Sequence, residues 1–241
     1  MLLKPMITYF WKIIRLRFIS WVVLIILVSL GLALQYSGNP HITIITLFFS
    51  GTSYLELTTH HVSFPILWLT YLIIPCFFIL NSTKELYKKY ICQLRGLQFS
   101  NAEIHWNSLI AMLFFTFIYT LITFNWFLLI TQIWFKSDLF SISFNEVKEY
   151  VLFVFVIMMG LFSIVLIQSL FNLFNNTLGI IVPIVILLFT AFSTWKLNPF
   201  SGLMTLRHLD NPFSNTLIGF CLIDILSISL IFFTIRRKDL I

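Results

Sequence analysis

A chain of 241 residues that is 59% hydrophobic and 10% charged is excluded from the ordinary soluble class, where roughly a quarter of residues are charged. Its formal charge of +6 would suggest nucleic acid in a soluble protein, but here the charges sort by position along the chain. Lys4, Lys12, Arg15 and Arg17 precede the first apolar run, Lys84, Lys88, Lys89 and Arg95 fill one internal loop, and Arg236, Arg237 and Lys238 follow the last run. Positive residues stay cytoplasmic, so the pattern predicts an even number of crossings with both termini and that loop inside, and no nucleic-acid partner. The same clusters favour anionic lipid at the inner surface.

Six apolar runs predict an all-α polytopic membrane protein with six transmembrane helices, at residues 18–34, 64–80, 108–135, 150–171, 178–194 and 213–235. Each is near the ~17–25 residues that cross a bilayer as a helix. They leave no loop long enough for a folded soluble domain. The first run exceeds the ~7–15 residues of a signal-peptide core and is expected to be retained. Before it, Met6, Phe10, Ile13 and Ile14 share one helical face while Thr8, Lys12 and Arg15 occupy the other. This predicts an interfacial helix over 6–17, carrying Phe10, Lys12, Ile13, Arg15 and Arg17 and lying on the inner leaflet.

The apolar stretch 42–49 is too short to cross, and counting it as a span would put the internal basic loop outside. It is expected at the outer surface or partly inserted. In the second run, Pro65 sits near the start, where a missing N–H is harmless, while Pro75 predicts a kink.

The inner loop 81–107 carries two capping-box signatures, Ser82 to Glu85 and Ser100 to Glu103. Between them a helix is expected over 83–95. Leu86, Tyr87, Tyr90, Ile91 and Leu94 line one face, Lys84, Lys88, Cys92 and Arg95 another, and Gly96 supplies the stop.

The outer loop 136–149 is polar. Residues 172–177 join the fourth and fifth runs tightly, so two full crossings or a re-entrant hairpin both remain compatible with charge parity; the length of 150–171 favours a full crossing. Residues 195–212 are then outside, punctuated by Asn198-Pro199 and Asn211-Pro212. Trp21, Trp68, Trp106, Trp134 and Trp195 fall close to span ends, as an aromatic belt requires.

Candidate chemistry is sparse. No glycine precedes a lysine, so no P-loop exists, and neither HExxH nor GxSxG occurs. A non-enzymatic chain is expected, without a cofactor of its own. Cys76, Cys92 and Cys221 show no CxxC spacing, which predicts neither a disulfide nor a metal site. Outer His41, His60 and His61 with Glu56 have no zinc-ligand spacing. Asp224 lies mid-span between Cys221 and Ser227, where a charge costs about 2.5–3.5 kcal/mol. It is either a translocation-path or partner-contact residue or a buried acid hydrogen-bonded to a neighbouring helix. Asn125 and Gln132 share a face of the third run and are further candidates for a path. Interhelical hydrogen bonding, at about 0.6 kcal/mol per bond, accounts equally for them and for Thr116, Thr120, Thr123, Gln168, Asn172 and Asn175.

Two stretches carry a family resemblance: Tyr90-Ile91-Cys92-Gln93-Leu94-Arg95-Gly96 followed by Ser100 to Trp106, and Asn198 to Arg207 ending at Arg236-Arg237-Lys238-Asp239-Leu240. They look like the inner loop, outer re-entry and basic C-terminus of small permeases encoded beside bacterial peptide-exporter ATPases. Together with the span pattern, this resembles the membrane subunit of a type-2 ATP-binding-cassette (ABC) exporter over nearly the whole chain. The resemblance implies that 83–95 is a cytoplasmic coupling helix, with Glu85, Tyr87, Lys88, Lys89, Tyr90, Ile91, Leu94 and Arg95 meeting a separate ATPase subunit. It implies that the helix around Phe10 to Arg17 is the connecting helix, that ATP and Mg are bound by an ATPase dimer, and that a second permease chain completes the path. The cargo is then hydrophobic or amphipathic, with peptide favoured, and the location a bacterial plasma membrane. The alternatives are a non-transporting immunity or sensor-partner protein and a secondary transporter using Asp224.

Overall fold

A computed structural model describes residues 3–36, 43–59, 63–82, 85–86, 89–90, 96, 101–134, 144–207 and 213–239. Among the described residues, four helices are long and apolar enough to cross a membrane: α1 (Leu3–Tyr36), α5 (Asn101–Trp134), α6 (Phe144–Asn172) and α8 (Phe213–Asp239). They make this an all-α chain of membrane-protein character. The runs predicted at 64–80 and 178–194 form shorter apolar helices, α4 (Ile66–Ile79, 14 residues) and α7 (Asn176–Phe192, 17 residues). At 1.5 Å per residue, α4 is only about 21 Å long, below the ~30 Å hydrocarbon thickness. Pro65 caps it without a helical backbone, and Asn81, with φ of 57°, turns the chain just beyond its end.

Residues 6–17 do not form an interfacial helix of their own, because α1 runs unbroken from 3 to 36. The face expected to rest on lipid is taken by protein. Met6, Phe10 and Ile14 are fully buried, Phe10 and Trp11 stack on Phe115 of α5, and Tyr9 stacks on Tyr90 of the inner loop. Helix α6 is the hub of the bundle and packs against α4, α5, α7 and α8.

Pro75 removes the N–H that would bond the Tyr71 carbonyl one turn earlier. The Tyr119 hydroxyl replaces it, donating to that oxygen at 3.3 Å. At the end of the same helix the Leu80 N–H bonds to Phe77, and the Gln168 side chain of α6 donates to the Cys76 carbonyl at 2.8 Å. Both irregularities of α4 are thereby satisfied by neighbouring helices, as the absence of water inside a bilayer demands.

Of the short stretch predicted at 42–49, the described residues 43–49 are folded into the bundle. Thr43 and Thr46 cap α2 (Ile44–Phe49) reciprocally, and its Phe48 and Phe49 enter an aromatic core with Tyr71, Phe124, Phe127 and Phe153 at ring separations of 4.8 to 6.4 Å. Such pairs add about 0.5–1.5 kcal/mol each beyond their area. Ser53 and Glu56 form a second capping box at α3 (Tyr54–Thr58). Between them Gly51, at φ of 69°, presses against Met204; a Cβ there would meet that side chain and hold an unfavourable backbone. The predicted box at Ser82 is not formed: Ser82 Oγ has no hydrogen-bond partner among the described residues, the Glu85 N–H bonds to the Asn81 carbonyl, and the Glu85 carboxylate turns to Arg17 and Lys89. The second predicted box involves Ser100, outside the described residues.

Trp68 departs from the predicted aromatic belt. It is buried, and its indole N–H donates to the Leu203 carbonyl at 3.1 Å. The reason is that 195–207 is not a simple surface loop. Asn198 accepts from the Phe200 N–H and donates to Thr190 Oγ1, starting a 3-10 turn (Pro199–Leu203) whose Phe200 to Leu203 are buried against α6 and α8. The α6–α7 connection is similarly close. Asn175 caps α7, and a Cβ at Gly179 would overlap the Asn172 side chain.

Candidate functional site

At the end of the bundle that holds the N-terminus and the inner loop, three charged side chains meet. Arg17 on α1 donates to Glu85 Oε1 at 2.7 Å and to the Leu80 carbonyl at 2.8 Å, while Lys89 donates to Glu85 Oε2 at 3.2 Å. Leu86 is buried against Met6 and Ile104, with Tyr9, Ile13 and Tyr90 around them. Glu85, Leu86, Lys89 and Tyr90 all have helical backbone. Hence the inner loop is tied to α1 by a forked ion pair and a stacked ring pair, and to α5 through Ile104. Of the other predicted residues, Lys12 lies 5.6 Å from the Tyr9 ring centre, and Arg15 is exposed. Tyr87, Lys88, Ile91, Leu94 and Arg95 lie outside the described residues.

Partial burial pushes the Glu85 carboxyl up, but hydrogen bonds from Arg17 and then Lys89 outweigh it, leaving it below its ordinary value of 4.5. A carboxyl lowered in the folded state contributes stability above its unfolded value and loses it as pH falls through the folded one. Amide hydrogen exchange over residues 81–90 is therefore expected to be slower in the wild type than in Glu85→Gln at neutral pH. The difference should vanish once pH drops below 4.5 and through the lowered value; a difference independent of pH would contradict the pairing.

The residues proposed from sequence for a path do not converge. Asp224 on α8 is 6% exposed and accepts from Ser163 Oγ of α6 at 2.6 Å, while its Oδ2 is buried without a partner among the described residues. It holds a helix seam. Asn125 and Gln132 are exposed on α5, and the Asn125 Nδ2 reaches only the Leu121 carbonyl of its own helix, at 2.7 Å. They make no interhelical bond within the described chain. Thr116, Thr120 and Thr123 are buried and bond mainly to their own helix, with Thr123 also meeting the Tyr71 hydroxyl at 2.8 Å. Beside Asn125, a groove of about 480 Å³ runs between α5 and α6, lined by Phe117, Leu121, Phe124, Leu128, Val154 and Phe155 among others.

The opposite end holds a residue that enters the sequence pattern only as the last of the stretch Asn198 to Arg207. Arg207 is fully buried in the turn Thr205–Arg207, and its guanidinium uses all its donors. Nε donates to the Thr52 carbonyl at 2.6 Å, one terminal nitrogen to the carbonyls of Thr190 and Ser193, and the other to Thr52 Oγ1 and the Ala191 carbonyl. Tyr54 covers it at 4.7 Å. A cation on the last carbonyls of α7 also complements the negative end of that helix. Burial pushes the guanidinium down from its ordinary value, and Tyr54 and Glu56 act against this. The signal available in the sequence was an Arg that stands apart from the three basic clusters.

The described chain thus presents two built polar sites, a forked ion pair at the inner-loop end and an arginine clamp at the other, joined by an apolar bundle with a lateral groove between α5 and α6. No family model, curated protein or solved structure matches this chain.

Proposed function

We propose that this chain is the permease subunit of an ABC exporter, crossing the membrane six times with both termini cytoplasmic. In this reading α4 and α7 are the second and fifth crossings, and the segments 43–59 and 195–207 fold back over their outer ends to make up their shortness. A separate ATPase dimer binds ATP and Mg and pushes on the helix over 83–95. A second permease chain completes the path for a hydrophobic or amphipathic cargo, peptide favoured.

The observation that carries this reading is the attachment of Glu85 to Arg17. A force applied to the inner loop reaches α1 through the ion pair and the Tyr9–Tyr90 stack, and α5 through Leu86 and Ile104. A surface loop without mechanical duty needs no such joints. The secondary-transporter alternative draws on Asp224, whose Oδ2 lacks a partner among the described residues. A non-transporting immunity or sensor-partner protein needs neither feature.

Purification in mild detergent from the native host separates the three. Recovery of an ATPase at one copy per permease chain is the expected result. A lone chain whose transport follows pH would support the secondary transporter instead, and a lone chain without transport the third reading.

A further inference from the structure

Asn125 and Gln132 stand seven residues apart on α5, and both are exposed in a helix of membrane-spanning length. An acyl chain offers an amide neither donor nor acceptor. After its one bond to Leu121, the Asn125 amide keeps a second N–H and its oxygen, and Gln132 makes no hydrogen bond among the described residues. The positions around them fall into a heptad: Ile118, Asn125 and Gln132 at one site of the repeat, Phe114, Leu121 and Leu128 at the other. All six are exposed or part-exposed on the folded chain. That is the register of a left-handed helix pair with polar residues inside its seam.

We infer that this stripe of α5 is the contact surface for a second copy of the same chain. An amide carries a partial positive and a partial negative end, so it is complementary to itself across a two-fold axis. Copies inserted in the same direction pair in parallel, which sets Asn125 against Asn125 and Gln132 against Gln132. Phe114, Leu121 and Leu128 form the apolar layers between, and the neighbouring groove of about 480 Å³ receives the partner's side chains. A single chain leaves this groove open on the side of the stripe. The inference requires only that α5 crosses a bilayer and is independent of any ATPase.

The test uses full-length chains in lipid vesicles, with Cys76, Cys92 and Cys221 replaced by Ser and one new cysteine at a time. Oxidation is expected to yield disulfide-linked dimers quickly for Leu121→Cys and Leu128→Cys, and slowly for Ile122→Cys and Leu129→Cys, which are exposed but off the stripe. In a parallel energy-transfer assay the double variant Asn125→Leu/Gln132→Leu should weaken dimerisation about tenfold, the loss of a few interhelical bonds. Both substitutions lie outside the core, so the chain still folds. Equal rates on and off the stripe, or faster linkage at Leu222→Cys and Leu226→Cys on α8, would overturn the inference. So would undiminished dimerisation of the double variant, which would leave lipid as the occupant of the groove.

Discussion

Replacing Arg207 by Met is expected to lower stability by about 3–5 kcal/mol, because it removes five donors from buried acceptors at once. The guanidinium joins the carbonyls of Thr190 and Ala191 at the end of α7 to Thr52 in the segment that follows α2, alongside the single direct bond from the Thr52 hydroxyl to the Ala191 carbonyl. Methionine fills much of the volume but supplies no N–H. The thermal midpoint in detergent should fall by roughly 10 °C, on the scale of a few degrees per kcal/mol for a chain of this size. Arg207→Lys should recover only part of this, since an ammonium is compact and cannot reproduce a planar five-donor fork. Accelerated protease cleavage confined to 43–59 and 195–207 would identify this end of the bundle as the part that loosens. An unchanged midpoint would mean that water replaces the guanidinium and that the clamp is not structural.

The second large effect is functional and tests the proposed coupling. Reversing Lys88, Lys89 and Arg95 to Glu should abolish export while the partner ATPase keeps hydrolysing ATP and the permease keeps its fold. Lys89 is exposed and, among the described residues, bonds to Glu85 one turn back, and Lys88 and Arg95 lie outside the described residues. The substitution leaves Arg17 on Glu85, so the loop stays attached to α1 while its outward charge inverts. Like-charge contacts at a docked interface cost several kcal/mol and fall hardest on the association that transmits force. Export at the wild-type rate in this variant would remove the inner-loop helix from the mechanism. Loss of both export and membrane insertion would instead point to the topological role of the charges.

The membrane character of the chain was legible because it rests on sums. Apolar runs near twenty residues read out as α1, α5, α6 and α8 whatever their neighbours do. The Pro75 irregularity was legible for a similar reason, since a missing N–H is a property of one residue. The inner loop was legible in part. Its apolar positions Leu86 and Tyr90 do face protein, but Glu85 was assigned to a cap and instead serves an ion pair with a residue 68 positions away. A local signature competes with any distant cation of the right reach, and the stronger charge-assisted bond wins. Residues 6–17 were misassigned for a related reason. An amphipathic face shows that a helix is covered on one side, but a bilayer surface and the flank of α5 impose the same pattern.

By itself, then, the sequence determined that this is a helical chain of membrane type, where its long apolar helices lie, and which loops carry its positive charge. These follow from transfer energies and charge bias that act residue by residue. Only the tertiary structure decided that α1 is continuous, that Phe48 and Phe49 enter the core, that Arg207 fastens two segments distant in sequence, and that Asp224 sits in a seam while Asn125 and Gln132 are exposed on the folded chain. Each of these depends on which side chain reaches which over separations of tens to more than a hundred residues. In a bilayer, where every polar group must find its partner within protein, such pairings are fixed by packing geometry and leave no trace in local pattern.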